Sequence, residues 1–173
     1  HDGNLAPDGG FIESLPFADA TWAANGRDVI VSGAVWDGGP EVVGRVNTQT
    51  GEYREFLNQQ TTGLVMRAAF EVEPPSSTEP NASPGLIAFL GGPSPDGFAL
   101  YTFRPGGAPT PVSGTIPGQV QHAEWSRERR AALVTVQSPT GPRLWIVRLD
   151  GTTQDITPPS GVFTGAQWDN ISA

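Results

Sequence analysis

The sequence predicts an all-β protein of the β-propeller class, with about three and a half four-stranded blades. Two observations lead there. First, a pattern of alanine, any residue and a large aromatic recurs four times, at Ala20-Thr21-Trp22, Ala68-Ala69-Phe70, Ala123-Glu124-Trp125 and Ala166-Gln167-Trp168. The alanines stand 48, 55 and 43 residues apart, a period at which single repeats cannot bury their apolar faces alone. Second, short β-branched runs follow each aromatic, with turn signals about every 8–12 residues, and no helix-period segment of useful length interrupts them.

The first repeat opens with the strand at Trp22 and turns at Asn25-Gly26, a strong hairpin signal. Strands follow at Asp28–Ser32, Val42–Val46 and Glu52–Phe56, separated by turns at Asp37–Pro40 and Asn47–Gly51. The second repeat gives Leu86–Leu90, Phe98–Phe103 and Thr110–Ser113, and the third Ala132–Val136, Leu144–Leu149 and Gln154–Thr157. Gly91-Gly92-Pro93 and Gly106-Gly107 read as turns, being too short and proline-flanked to cradle a phosphate. The extra length of the second repeat falls in 71–84, four prolines without an apolar period, which reads as a surface loop.

The blades divide as 17–64, 65–119 and 120–162, with a blade end over 1–16 and the start of another over 163–173. This pattern predicts part of a larger propeller or one completed by a second copy, so that a homodimer or continuation in a longer parent chain is expected.

Composition narrows the partners. The formal net charge is −8, which disfavours nucleic acid and anionic membrane surfaces. All ten basic residues are Arg and there is no Cys, so thiolate and disulfide chemistry are excluded. No apolar run is long enough for membrane insertion as a helix. Two histidines, His1 and His122, cannot by themselves supply a zinc site, and neither an EF-hand run nor a Gly-x-Ser-x-Gly elbow occurs. No catalytic residue, metal site or cofactor is therefore expected.

The segment Trp22-Ala-Ala-Asn-Gly-Arg-Asp-Val-Ile-Val-Ser resembles the blade motif of TolB-like and related WD40-like propellers. Trp125-Ser126-Arg127-Glu128-Arg129 is similar to a degraded copy, and Asp150-Gly151-Thr-Thr fits the outer hairpin. The family's usual proline two residues before the aromatic is alanine in all four places here. The resemblance implies an extracytoplasmic address, whether periplasmic, secreted or on the cell surface. It implies a fold and leaves the function to the site.

The residues before the first three repeat alanines are Asp19, Arg67 and His122. Equivalent positions on inner strands come round a propeller axis at similar height, so these three would line one mouth of a channel and suit a polar ligand. His122 beside Asp19 or Glu124 would titrate near neutral pH. Trp36, next to the Asp37-Gly38 turn, is expected to be exposed and available for contact, whereas the repeat aromatics Trp22, Phe70, Trp125 and Trp168 are expected to be buried between blades. Asn81 and Asn170 head glycosylation-type triplets. The function expected is a non-enzymatic binding or scaffolding module for a protein partner or small polar ligand. An extracytoplasmic hydrolase or lyase with a site at the channel mouth stays open beside it.

Overall fold

The computed structural model describes residues 19–34, 36, 38–77, 84–159 and 167–168. The expectations placed on 1–16, His1, Asn81 and Asn170 lie outside the described residues. The chain is all-β. Its first sheet runs β1 (Asp19–Trp22), β2 (Asp28–Ala34), β3 (Glu41–Asn47) and β4 (Tyr53–Asn58), hydrogen-bonded in chain order. The second runs β5 (Val65–Glu73), β6 (Leu86–Gly92), β7 (Gly97–Phe103) and β8 (Thr110–Pro111), with β9 (Ile116–Pro117) also pairing β7. The third runs β10 (Gln119–Ser126), β11 (Ala131–Ser138), β12 (Gly141–Arg148) and β13 (Thr153–Asp155). Every pairing is antiparallel and no sheet closes on itself. β10 begins at Gln119, one residue before the division expected from the repeat.

The turns form where the sequence supplies their chemistry. Asn25 Oδ1 accepts from the backbone of Arg27 and Asp28 at 2.8 and 2.9 Å, closing the β1–β2 connection around Gly26. Asn47 repeats the device for Gln49 and Thr50 at 2.9 and 3.1 Å. A helical turn that the sequence does not announce, α1 (Gln59–Thr62), sits between β4 and β5. Its residues have no apolar period. It forms because the Asn58 side chain caps Gln60 N and Gly63 closes it at φ 71.

Alternation along the strands sends side chains to opposite faces. Ile30, Val43 and Leu57 of the first sheet meet Met66, Ile87 and Phe89 of the second. Val31, Val42, Val46 and Tyr53 gather on the other face of the first sheet. Leu90, Phe98 and Leu100 of the second sheet meet Ala132, Val134 and Val136 of the third. Fully burying such a side chain stabilises by about 1.5–3 kcal/mol.

Two expectations about where strands and turns lie need correction. The loop assigned to 71–84 starts later, because β5 continues through Glu73, and Glu71 is 1% exposed. A charged residue in that position reads as loop in sequence, but an ion pair described below accounts for its burial. Gly91 and Gly92 are strand, not turn, and the turn begins at Pro93. Gly91 is required by close approach: a Cβ there would lie 2.1 Å from the Val65 carbonyl oxygen.

Candidate functional site

The three residues chosen from the repeat occupy matching backbone positions. Asp19 pairs with Ser32, Arg67 with Leu90 and His122 with Thr135, and each partner is the fifth residue of its sheet's second strand. Their side chains then diverge. Among the described residues no hydrogen bond or ion pair joins any two of the three.

Asp19 serves the joint between the first two sheets. β5 carries a bulge at Ala68-Ala69, where Ala68 adopts the left-handed φ of 54. The backbone groups of these two alanines bond outside their own sheet. Ala68 N donates to Asp19 Oδ2 at 2.9 Å, and Ala69 N to Ser32 Oγ at 3.1 Å. Thr21 Oγ1 donates to Ala69 O at 2.8 Å, and Trp125 Nε1 to Ala68 O at 2.7 Å. All four groups are thus satisfied by neighbouring sheets, which offsets the cost of interrupting the ladder. The repeat alanine is small enough to let both neighbours approach.

Glu124 lies on β10 and also makes a structural contact. Its carboxylate accepts from Trp168 N at 3.1 Å, and its carbonyl from Trp168 Nε1 at 3.0 Å. The Arg129 guanidinium covers the Trp168 ring at 4.9 Å. His122 is exposed just beyond a bulge in β10, and neither Asp19 nor Glu124 engages it. Trp36 is 45% exposed, with its ring lying against Gly39.

Arg67 differs from the others because it faces a cleft of about 130 Å3 between the second and third sheets. Val65, Leu90, Pro95, Phe98 and Val120 supply apolar lining, and Ser94 and Gln119 supply polar atoms. Arg67 is the sole ionisable side chain among the described lining residues. Its Nη1 pairs with Glu41 Oε2 at 2.9 Å, while Glu41 Oε1 accepts from Met66 N at 2.9 Å. Glu41 therefore orients the guanidinium from the neighbouring sheet. Across the cleft, Gln119 Nε2 donates to Asp96 Oδ1 at 3.2 Å, and Gly118 N to Asp96 O at 2.8 Å. Gly118 holds a φ of 118, and a Cβ there would lie 2.5 Å from Val136 Cγ1, so only glycine turns β9 into β10 here.

Of the residues at this cleft and its ion pair, the sequence reading singles out Arg67 and passes over Glu41, Ser94 and Gln119. Glu41 follows a hairpin and Gln119 opens a strand, and neither position carries a spacing signal. The described residues hold no group of three or more His, Cys, Asp or Glu arranged for a metal ion, and no described helix is long and apolar enough to cross a membrane. No family model, curated protein or solved structure matches this chain.

Proposed function

We propose that the three sheets are blades of a β-propeller and that the chain is a non-enzymatic binding module, with the Arg67 cleft as its recognition point. The observation that supports this most directly is the repeat at the level of register. Successive first strands place Asp19, Arg67 and His122 at matching positions, and the sheets follow the chain in order, as blades do. Where the side chains at two of these positions make structural contacts or point to solvent, Arg67 meets a concave, mostly apolar space with a few polar atoms, the usual makeup of a small-ligand site. Binding here needs no chemistry on the ligand.

A thermal-shift screen tests the binding reading. The panel contains neutral N-acylated amino-acid amides, carboxylates, amines and small sugars, each run against the wild type and R67Q. A ligand at about ten times its Kd stabilises by about 1.4 kcal/mol and raises Tm by about 3–5 °C. We expect one class to do so in the wild type and not in R67Q. If no class raises Tm, the binding reading fails. The blade reading fails if an experimental structure does not fan the three sheets around one axis.

A further inference from the structure

We infer that the Arg67 cleft takes an uncharged peptide unit with a branched aliphatic side chain, as presented by an extended segment of a protein partner. This rests on the binding reading above and deepens it. Charge comes first. Arg67 is already paired with Glu41, so the two together bring no net charge to the cleft, and the chain's net charge of −8 opposes an anion. A cation finds no carboxylate among the described lining residues. A neutral ligand is what remains.

Hydrogen bonding comes second. Arg67 uses only Nη1 on Glu41, and its other guanidinium donors have no partner among the described residues. Gln119 commits its Nε2 to Asp96, which leaves its side-chain carbonyl oxygen to accept. A donor and an acceptor thus border one apolar space. A peptide unit offers the complement: a C=O for the guanidinium and an N–H for the Gln119 carbonyl. The lining of Val65, Leu90, Phe98 and Val120 suits the aliphatic side chain. Glu41 acts as a positioning residue, since it touches Arg67 and not the cleft.

The test is a titration of the full chain followed by amide-resolved NMR. The probes are N-acetylvalinamide, its carboxylate analogue N-acetylvaline, and isopentylamine. For so small a ligand we expect saturable shifts at Gly91, Gly97, Gln119 and Val120 with a Kd on the order of millimolar. The two charged analogues should bind at least about fivefold more weakly. R67Q should weaken the amide about tenfold. V65F, which fills the cleft and leaves the ion pair in place, should weaken it at least as much, so the result does not hang on one variant's folding. A blocked tripeptide Ala-Val-Ala should bind at least about threefold more tightly than the single amide, because it adds contacts beyond the cleft. Absence of saturable shifts at those four residues overturns the proposal, as does equal or tighter binding of a charged analogue. No gain for the tripeptide overturns a peptide segment as the source. If a sugar or a charged class succeeds in the thermal screen while the amide fails here, the peptide inference falls and the binding reading stands.

Discussion

The two joints between successive sheets are built from the same repeat but use opposite chemistry. The joint between the first and second sheets carries charge. Buried Glu71 accepts from Arg45 Nη1 at 2.7 Å and from Ala24 N at 3.0 Å, and Arg45 Nε reaches Asp28 Oδ2 at 2.7 Å. Asn25 Nδ2 adds a bond to Asp28 at 3.1 Å. The joint between the second and third sheets is aromatic. Phe70 stacks on Trp125 with centroids 5.2 Å apart, and the Arg127 guanidinium covers the Phe70 ring at 4.7 Å from its centroid. Arg127 also donates to the Glu71 and Val72 carbonyls, so Glu71 takes part in both joints. A joint between successive sheets can therefore be sealed by apolar stacking or by a satisfied ionic network. They should fail differently.

The largest expected effect is at the charged joint. R45M removes the shared partner of two buried carboxylates and should cost about 3–5 kcal/mol, read from urea unfolding. A loss below about 1 kcal/mol would mean that the backbone and Asn25 donors alone hold the carboxylates, and the contrast between the joints would disappear. At the aromatic joint, W125A should cost about 2–4 kcal/mol, since it removes both the stack and the indole bond to Ala68. W125F keeps a ring and loses only the hydrogen bond, at about 1 kcal/mol. If the two Trp125 variants cost the same, the hydrogen bond rather than the stacking seals that joint.

Acid probes the charged joint by a second route. Burial pushes the Asp28 carboxyl up, but bonds from Arg45, Asn25 and Arg27, with the charge of Arg45, outweigh it and hold the group below its ordinary 3.8. The unfolded chain therefore binds this proton at a higher pH than the folded one. The stabilisation from Asp28 is full above about pH 4 and is lost as pH falls through the lower folded value. Asp155 is also held low: burial opposes, but the Thr157 hydroxyl and backbone and Arg143 prevail. That second group lies in the third sheet and remains in every variant of the first joint. The urea midpoint should thus fall from pH 4 to pH 2 in the wild type, and fall less in R45M. An equally steep acid limb in R45M would place the acid sensitivity elsewhere.

The contrast also explains what the sequence disclosed. The antiparallel strand-and-turn units were legible because their signals are local: Asn25-Gly26, Asn47 and Gly51 at turns, and β-branched runs between them; the short β9, which makes the second sheet five-stranded, was not. The aromatic joint was legible because Trp and Phe recur at a fixed place. The charged joint was not, because Asp28, Arg45 and Glu71 come from three strands, up to 43 residues apart in sequence, and each alone resembles a surface residue. The bulge at Ala68-Ala69 was hidden for a similar reason. An alanine at left-handed φ has no local signature, and only the bonds from Asp19, Ser32, Thr21 and Trp125 make the conformation intelligible. Asp19 and Arg67 looked alike in the repeat alignment, and tertiary partners separated them.

The smallest expected effect sharpens the comparison most directly, because it concerns the same repeat position. Trp22 and Trp125 share the third place of the motif, and both were expected to be buried between blades. Trp22 is instead 60% exposed, whereas Trp125 is partly buried against the second sheet and bonds to its backbone. The physical reason lies in the neighbour. Trp125 has the bulged Ala68 carbonyl and the Phe70 ring to meet, and the described contacts of β1 are made by Asp19 and Thr21 rather than by Trp22. Position in the repeat therefore sets where an aromatic stands, and the adjoining sheet sets what it is worth. W22S should change stability by less than about 0.5 kcal/mol, against the several kilocalories expected for W125A. A cost above about 1.5 kcal/mol for W22S would mean that Trp22 seals an interface of its own in solution, and the two tryptophans would be equivalent after all.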